Sequence, residues 1–96
     1  MIMTKEMTNK ALMILNNYES KAQKMKCCEE LAELEMALLK HINKGGHTDD
    51  ILEEMADVYI MLEQVRYMMP FGENRLEEMI SYKLDRTLER IRQGAK

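Results

Sequence analysis

The chain holds one proline, four glycines, no tryptophan and only five aromatic residues, four Tyr and one Phe, in 96 positions. Val occurs twice and Thr four times, too few β-branched and aromatic side chains to furnish the faces of a sheet. The longest uninterrupted apolar runs, Ala11 to Leu15 and Val58 to Leu62, are five residues each, where a membrane span needs roughly 18. The first fifteen residues carry Lys5, Glu6 and Lys10 between their apolar positions and lead to no small-residue cleavage site. That argues against a secretory signal, and a cytoplasmic location is expected. No charge of one sign dominates either. Lys and Arg number 14 against 17 Asp and Glu, for a net charge of -3. With the signs interspersed there is no basic stripe, so nucleic acid is excluded as the expected partner. The two cysteines, Cys27 and Cys28, are adjacent. Neighbours on a helix point about 100° apart, so they are read as reduced thiols in a reducing compartment.

What remains is helix-forming stock: Leu, Met, Glu, Lys and Ala. The expected fold is all-α, a single domain over residues 1–96. Eleven methionines are read as flexible core filler. A chain this short buries only about 60 to 65% of its unfolded surface, which favours association of chains. Breaks at Asn16-Asn17, Gly45-Gly46 and Pro70-Phe71-Gly72 cut the chain into four helical pieces. The first runs from Ile2 or Thr4 to Leu15. The second opens on a capping box, Ser20 with Gln23, and closes at Lys44 before a glycine C-cap. The third starts between Thr48 and Asp50 and ends before Pro70. The fourth starts with Asn74 as N-cap and Glu77 three residues on, and runs to Arg92 or Gln93. Three pieces near 20 residues long predict a bundle of about four helices. Apolar seams are expected through Cys27, Leu31, Leu34, Leu38 and Ile42, and through Ile51, Met55, Val58, Leu62, Val65 and Met69. Met7, Leu12 and Leu15, with the face Leu76, Ile80 and Leu84, are the expected contacts between chains of an oligomer.

One local pattern repeats: Glu29-Glu30-Leu31-Ala32-Glu33-Leu34 is matched 24 residues later by Glu53-Glu54-Met55-Ala56-Asp57-Val58. Each copy holds an acid-x-x-acid pair beside an apolar seam. Antiparallel packing of the two helices would line one cleft with Glu30, Glu33, Glu54 and Asp57, with no basic residue interleaved to neutralise them. Such a cluster repels itself unless it is protonated or binds cations. Oxygen-only ligands select a hard divalent ion, Mg²⁺ or Mn²⁺. No Glu-x-x-His accompanies the acids, so di-iron chemistry is not expected.

The doubled pattern, Glu29-Glu30-x-x-Glu33, then 20 residues, then Glu54-x-x-Asp57, resembles the EExxE…ExxD signature of the MazG-like, all-α nucleoside triphosphate pyrophosphohydrolases. Gln23 ahead of it, the apolar run Val58 to Leu62 behind it and Lys83-Leu84-Asp85-Arg86 in the last helix extend the resemblance over about residues 20–92 of a short single-domain member. The resemblance implies Mg²⁺-dependent hydrolysis of a nucleoside triphosphate to the monophosphate and pyrophosphate, with Mn²⁺ able to substitute. It implies Glu30, Glu33, Glu54 and Asp57 as the metal-ligating catalytic residues, Lys83 and Arg86 as triphosphate contacts, and a homodimer or homotetramer. Thr87 departs from branches that carry a second Arg or an Asn after the Lys-x-x-Arg positions. The lack of Trp removes one means of sandwiching a base, leaving Tyr59, Tyr67, Phe71 and Tyr82 as candidates. Two other readings stay open: a non-enzymatic helical module that dimerises or binds a partner helix, and a phosphoribosyl-ATP pyrophosphohydrolase.

Overall fold

A computed structural model, which describes residues 2–94, has four helices: α1 (Lys5–Leu15), α2 (Ser20–Lys44), α3 (Thr48–Met68) and α4 (Gly72–Arg92). Among the described residues there is no strand, and no helix is long and apolar enough to cross a membrane. Thr4 caps α1, its Oγ1 accepting from the Met7 N–H at 3.1 Å. The α2–α3 connection rests on Gly45 and Gly46, at φ 76° and 124°, with the Gly45 N–H donating to the His41 carbonyl. These are left-handed conformations that glycine adopts without steric cost. Helix α3 stops where Pro70 forces Met69 into an extended conformation.

Two expected helix starts are displaced. Ser20 is the first residue of α2 rather than its cap, and Glu19 precedes it without a side-chain capping bond. The Ser20 hydroxyl donates to Met68 Sδ instead, and Gln23 is drawn into the core. Helix α4 begins at Gly72, two residues before Asn74, because the corner itself opens the helix. Phe71 adopts a left-handed conformation, and the Gly72 N–H donates to the Met69 carbonyl. A side chain at Gly72 would collide with the Arg66 carbonyl oxygen, so the α3–α4 corner depends on its glycine.

Helix α3 is the hub: α2, α1 and α4 each pack on it. Val58, Met61 and Gln64 are its buried residues, joined by Ala11 and Leu15 of α1 and Cys27 of α2. Leu15 therefore belongs to the chain's own core, not to a contact between chains. The seam of α2 is also rotated from its expected place. The residues turned inward are Gln23, Cys27, Glu30, Leu34, Ala37 and His41, while Leu31, Leu38 and Ile42 are exposed. Polar groups inside that seam find partners. Gln23 Nε2 donates to Gln64 Oε1 at 2.8 Å, and Gln64 Nε2 donates to the Ala11 carbonyl at 2.9 Å. One fully buried amide thus ties three helices together and leaves little polar surface unpaired.

The methionines do not fill the core as expected. Met61 alone is buried among the described residues, and Met7, Met13, Met25, Met36, Met69 and Met79 are exposed. No residue of α4 is buried. The radius of gyration is 16.0 Å, against about 12 to 13 Å for a compact domain of this length.

Candidate metal centre

The rotated α2 seam brings an acid to the helix interface. Glu30 stands one turn after Cys27 on the buried stripe and is 7% exposed. Glu33, three residues on, lies at the edge of the same face and is exposed, and Glu54 of α3 is half-buried opposite them. One carboxylate oxygen from each of Glu30, Glu33 and Glu54 lies within 4.8 Å of the others. Asp57 is not in that group. It is half-buried one turn along α3 and reaches Glu54 by its charge.

The cluster is not wholly uncompensated. Lys26 Nζ lies 3.1 Å from Glu30 Oε1 and 3.8 Å from Glu29 Oε2. This corrects the expectation that no basic residue is interleaved with the acids: Lys26 is one turn before Glu30, and its stem is long enough to reach forward to it. Bonding to Glu30 holds the Lys26 ammonium above its ordinary pKa. The other Glu30 oxygen, Oε2, is buried without a hydrogen-bond partner, and so is Glu54 Oε2. Burial first, then the charges of Glu33, Asp57, Glu30 and Glu53, pushes the Glu54 carboxyl above its ordinary pKa.

Two orphaned carboxylate oxygens in a group of three acids fit a cation. Leaving such atoms desolvated and unpaired costs free energy that a bound ion would return. All-oxygen donors suit Mg²⁺ or Mn²⁺. A carboxylate ligates only when deprotonated, so the upward shift of Glu54 works against metal binding as the pH falls.

Lys83 and Arg86 stand apart from this group. Both are exposed on α4, neither forms an ion pair among the described residues, and the Arg86 guanidinium lies over the Tyr82 ring, 5.6 Å from its centroid. Phe71 is 82% exposed at the α3–α4 corner, while Tyr59 lines an apolar groove between α1 and α3. Cys27 is buried and Cys28 exposed, both free. Burial raises the Cys27 thiol further above neutrality, which makes it a packing group rather than a nucleophile. Lys26 and Gln64 went unread in the sequence although signals for both were present: a lysine four residues before an acid on one helix, and a polar residue on the inward stripe of α3.

Comparison with protein-family models, with curated proteins and with solved structures finds no match to this chain.

Proposed function

We propose that the chain is a Mg²⁺-dependent nucleoside triphosphate pyrophosphohydrolase whose ion is held by Glu30, Glu33 and Glu54, with Asp57 adding a fourth carboxylate from the next turn of α3. The observation that carries this reading is the pair of buried, unpartnered oxygens, Glu30 Oε2 and Glu54 Oε2, within one group of acids. The doubled acid pattern and its resemblance to the MazG-like enzymes supply the reaction class. Water adds to a phosphorus of the anhydride, the P–O bond to the leaving group breaks, and a monophosphate and pyrophosphate separate. When bound, a divalent ion of this kind neutralises phosphate charge and polarises the phosphorus. The chain's own part is to fix the carboxylates. Glu30 is immobilised by burial and by Lys26, and Glu54 by the α2–α3 packing, so their geometry is set before substrate arrives.

The exposed stripe of α4 and the extended shape favour association with a second copy. They equally favour the reading of a helical interaction module without activity. A panel of ribo- and deoxynucleoside triphosphates, and phosphoribosyl-ATP, assayed for pyrophosphate release with Mg²⁺ or Mn²⁺, separates these. The enzyme releases pyrophosphate from at least one triphosphate and depends on the metal. Release from none supports the module, and release from phosphoribosyl-ATP alone assigns the narrower activity.

A further inference from the structure

Helices α1, α2 and α4 pack on α3 and scarcely on one another, so the bundle stays open between its spokes. The surface left uncovered is large. The chain exposes 8120 Å², where a compact monomer of its 11.3 kDa exposes about 5,700 Å². The excess of about 2,400 Å² is about three times the area that each partner covers in a standard stable interface.

On α4 that surface has two halves. In the first, Leu76, Met79 and Ile80 form with Leu62 and Met69 of α3 a groove of about 600 Å³, apolar in its lining apart from Arg66 and Arg75. Farther on the stripe continues through Leu84, Leu88 and Ile91, none of which lines that groove, and exposure climbs from 43% at Leu76 to 65% at Leu88. The near half of α4 thus offers an open groove and the far half a bare ridge. Both stand on one helix, so the ridge cannot fold back into its own groove. Charge divides at the same place: residues 72–82 carry three acids and one base, and residues 83–92 four bases and two acids. This gradient suits the helix's own dipole. Between two copies it also sets a direction, because parallel α4 helices would stack like charges and antiparallel ones set opposite charges together.

We infer that two copies of the chain pair antiparallel through α4, the ridge of each seated in the α3–α4 groove of the other. The contact is isologous, the same patch on both copies, with Leu76 facing Leu88 and Ile80 facing Leu84 across the two-fold axis. An apolar centre with a rim of opposite charges is the ordinary anatomy of a stable interface. The pairing goes beyond the hydrolase reading and does not rest on it: it stands whether or not the chain cleaves a triphosphate.

The test is the association of the full chain, followed by analytical ultracentrifugation across the micromolar range. Wild type is expected as a dimer and Leu88→Glu as a monomer, with circular dichroism reporting whether the variant keeps its helices. The direction of pairing is read from charge. Glu77 lies in the acidic half of α4 and Arg90 in the basic half, both exposed. Glu77→Lys and Arg90→Glu should each weaken the dimer about fivefold or more, since every change acts at both symmetry-related contacts. The double variant should recover association close to that of the wild type. Parallel helices give the opposite sign, each single reversal relieving a like-charge contact and tightening the dimer. These reversals leave the apolar stripe intact and decide the question even if Leu88→Glu unfolds. A monomeric wild type, whose stripe would then be open to water or to another protein, overturns the inference. So does an assembly that a folded Leu88→Glu leaves intact, a single reversal that tightens or does not alter association, or a double variant no tighter than the singles.

Discussion

Helices α3 and α4 are each 21 residues long, yet α3 carries three buried side chains and α4 none. The sharper apolar stripe belongs to α4, through Leu76, Ile80, Leu84, Leu88 and Ile91, all of which are exposed. Around α3 apolar residues recur on nearly every side, from Ile51 and Met55 to Tyr59, Ile60 and Val65. A helix apolar all round is one that neighbours surround, and α3 has α1, α2 and α4 packed against it. A single clean stripe says only that one face needs covering, not that the same chain covers it.

The largest effect that would sharpen this contrast is expected on α3. Glu54→Gln should lower metal-dependent pyrophosphate release by at least about a hundredfold, with helix content unchanged by circular dichroism. It should also abolish the stabilisation by Mn²⁺, which at 100 times the dissociation constant is about 2.7 kcal/mol in the wild type. At about 4 to 8 °C per kcal/mol the wild-type melting midpoint rises by ten degrees or more. An unshifted wild type, or a variant that shifts fully, breaks the assignment of one site.

On α4 the matching change is Leu84→Glu, which places a charge on the uncovered stripe. Light scattering at low micromolar concentration should report a dimer or larger for the wild type and a monomer for the variant. A monomeric wild type would mean that the stripe stays open to water. Next in size is a pair of truncations read by urea midpoints at two protein concentrations. Met61→Ala, in the core, should cost about 2 to 5 kcal/mol at both. Leu84→Ala should cost less than about 0.5 kcal/mol where chains are separate and more where they associate. Equal, concentration-independent losses would erase the difference between the helices.

The smallest effect is on pH. The folded chain holds the Glu54 proton more tightly than the unfolded chain does. Above the ordinary carboxylate pKa, up to the raised native value, the folded state therefore binds more protons, and stability falls as pH rises through that window. Melting without added metal should show this decline in the wild type and a flatter profile in Glu54→Gln.

The helix count, the glycine turn at Gly45 and the stop before Pro70 were legible because each is local: composition, left-handed glycines and a missing amide act within a few residues. The acids Glu30, Glu33 and Glu54 were legible for a related reason: two acids three residues apart share one side of a helix, so packing α2 on α3 can bring the two acidic faces together, although Asp57 stays outside the group. The facing of α2 was not. Its most apolar stripe, through Leu31, Leu38 and Ile42, lost to a stripe containing Gln23, Glu30 and His41, because the Gln23–Gln64 bond and the packing of Cys27 and Leu34 act across helices. The start of α4 was missed because the αL turn at Phe71 competes with the cap that Asn74 offers.

The corner at Gly72 has leverage. Helix α4 extends about 31 Å at 1.5 Å per residue, so a rotation of about 10° at its first residue carries the far end about 5 Å. Its direction is set by the backbone of Pro70, Phe71 and Gly72 and by the passage of Gly72 against Arg66, with no buried anchor farther along. Substitutions at these few positions would re-aim the whole apolar stripe without altering a residue on it. The aim of the uncovered stripe is therefore set at a turn that carries none of its residues.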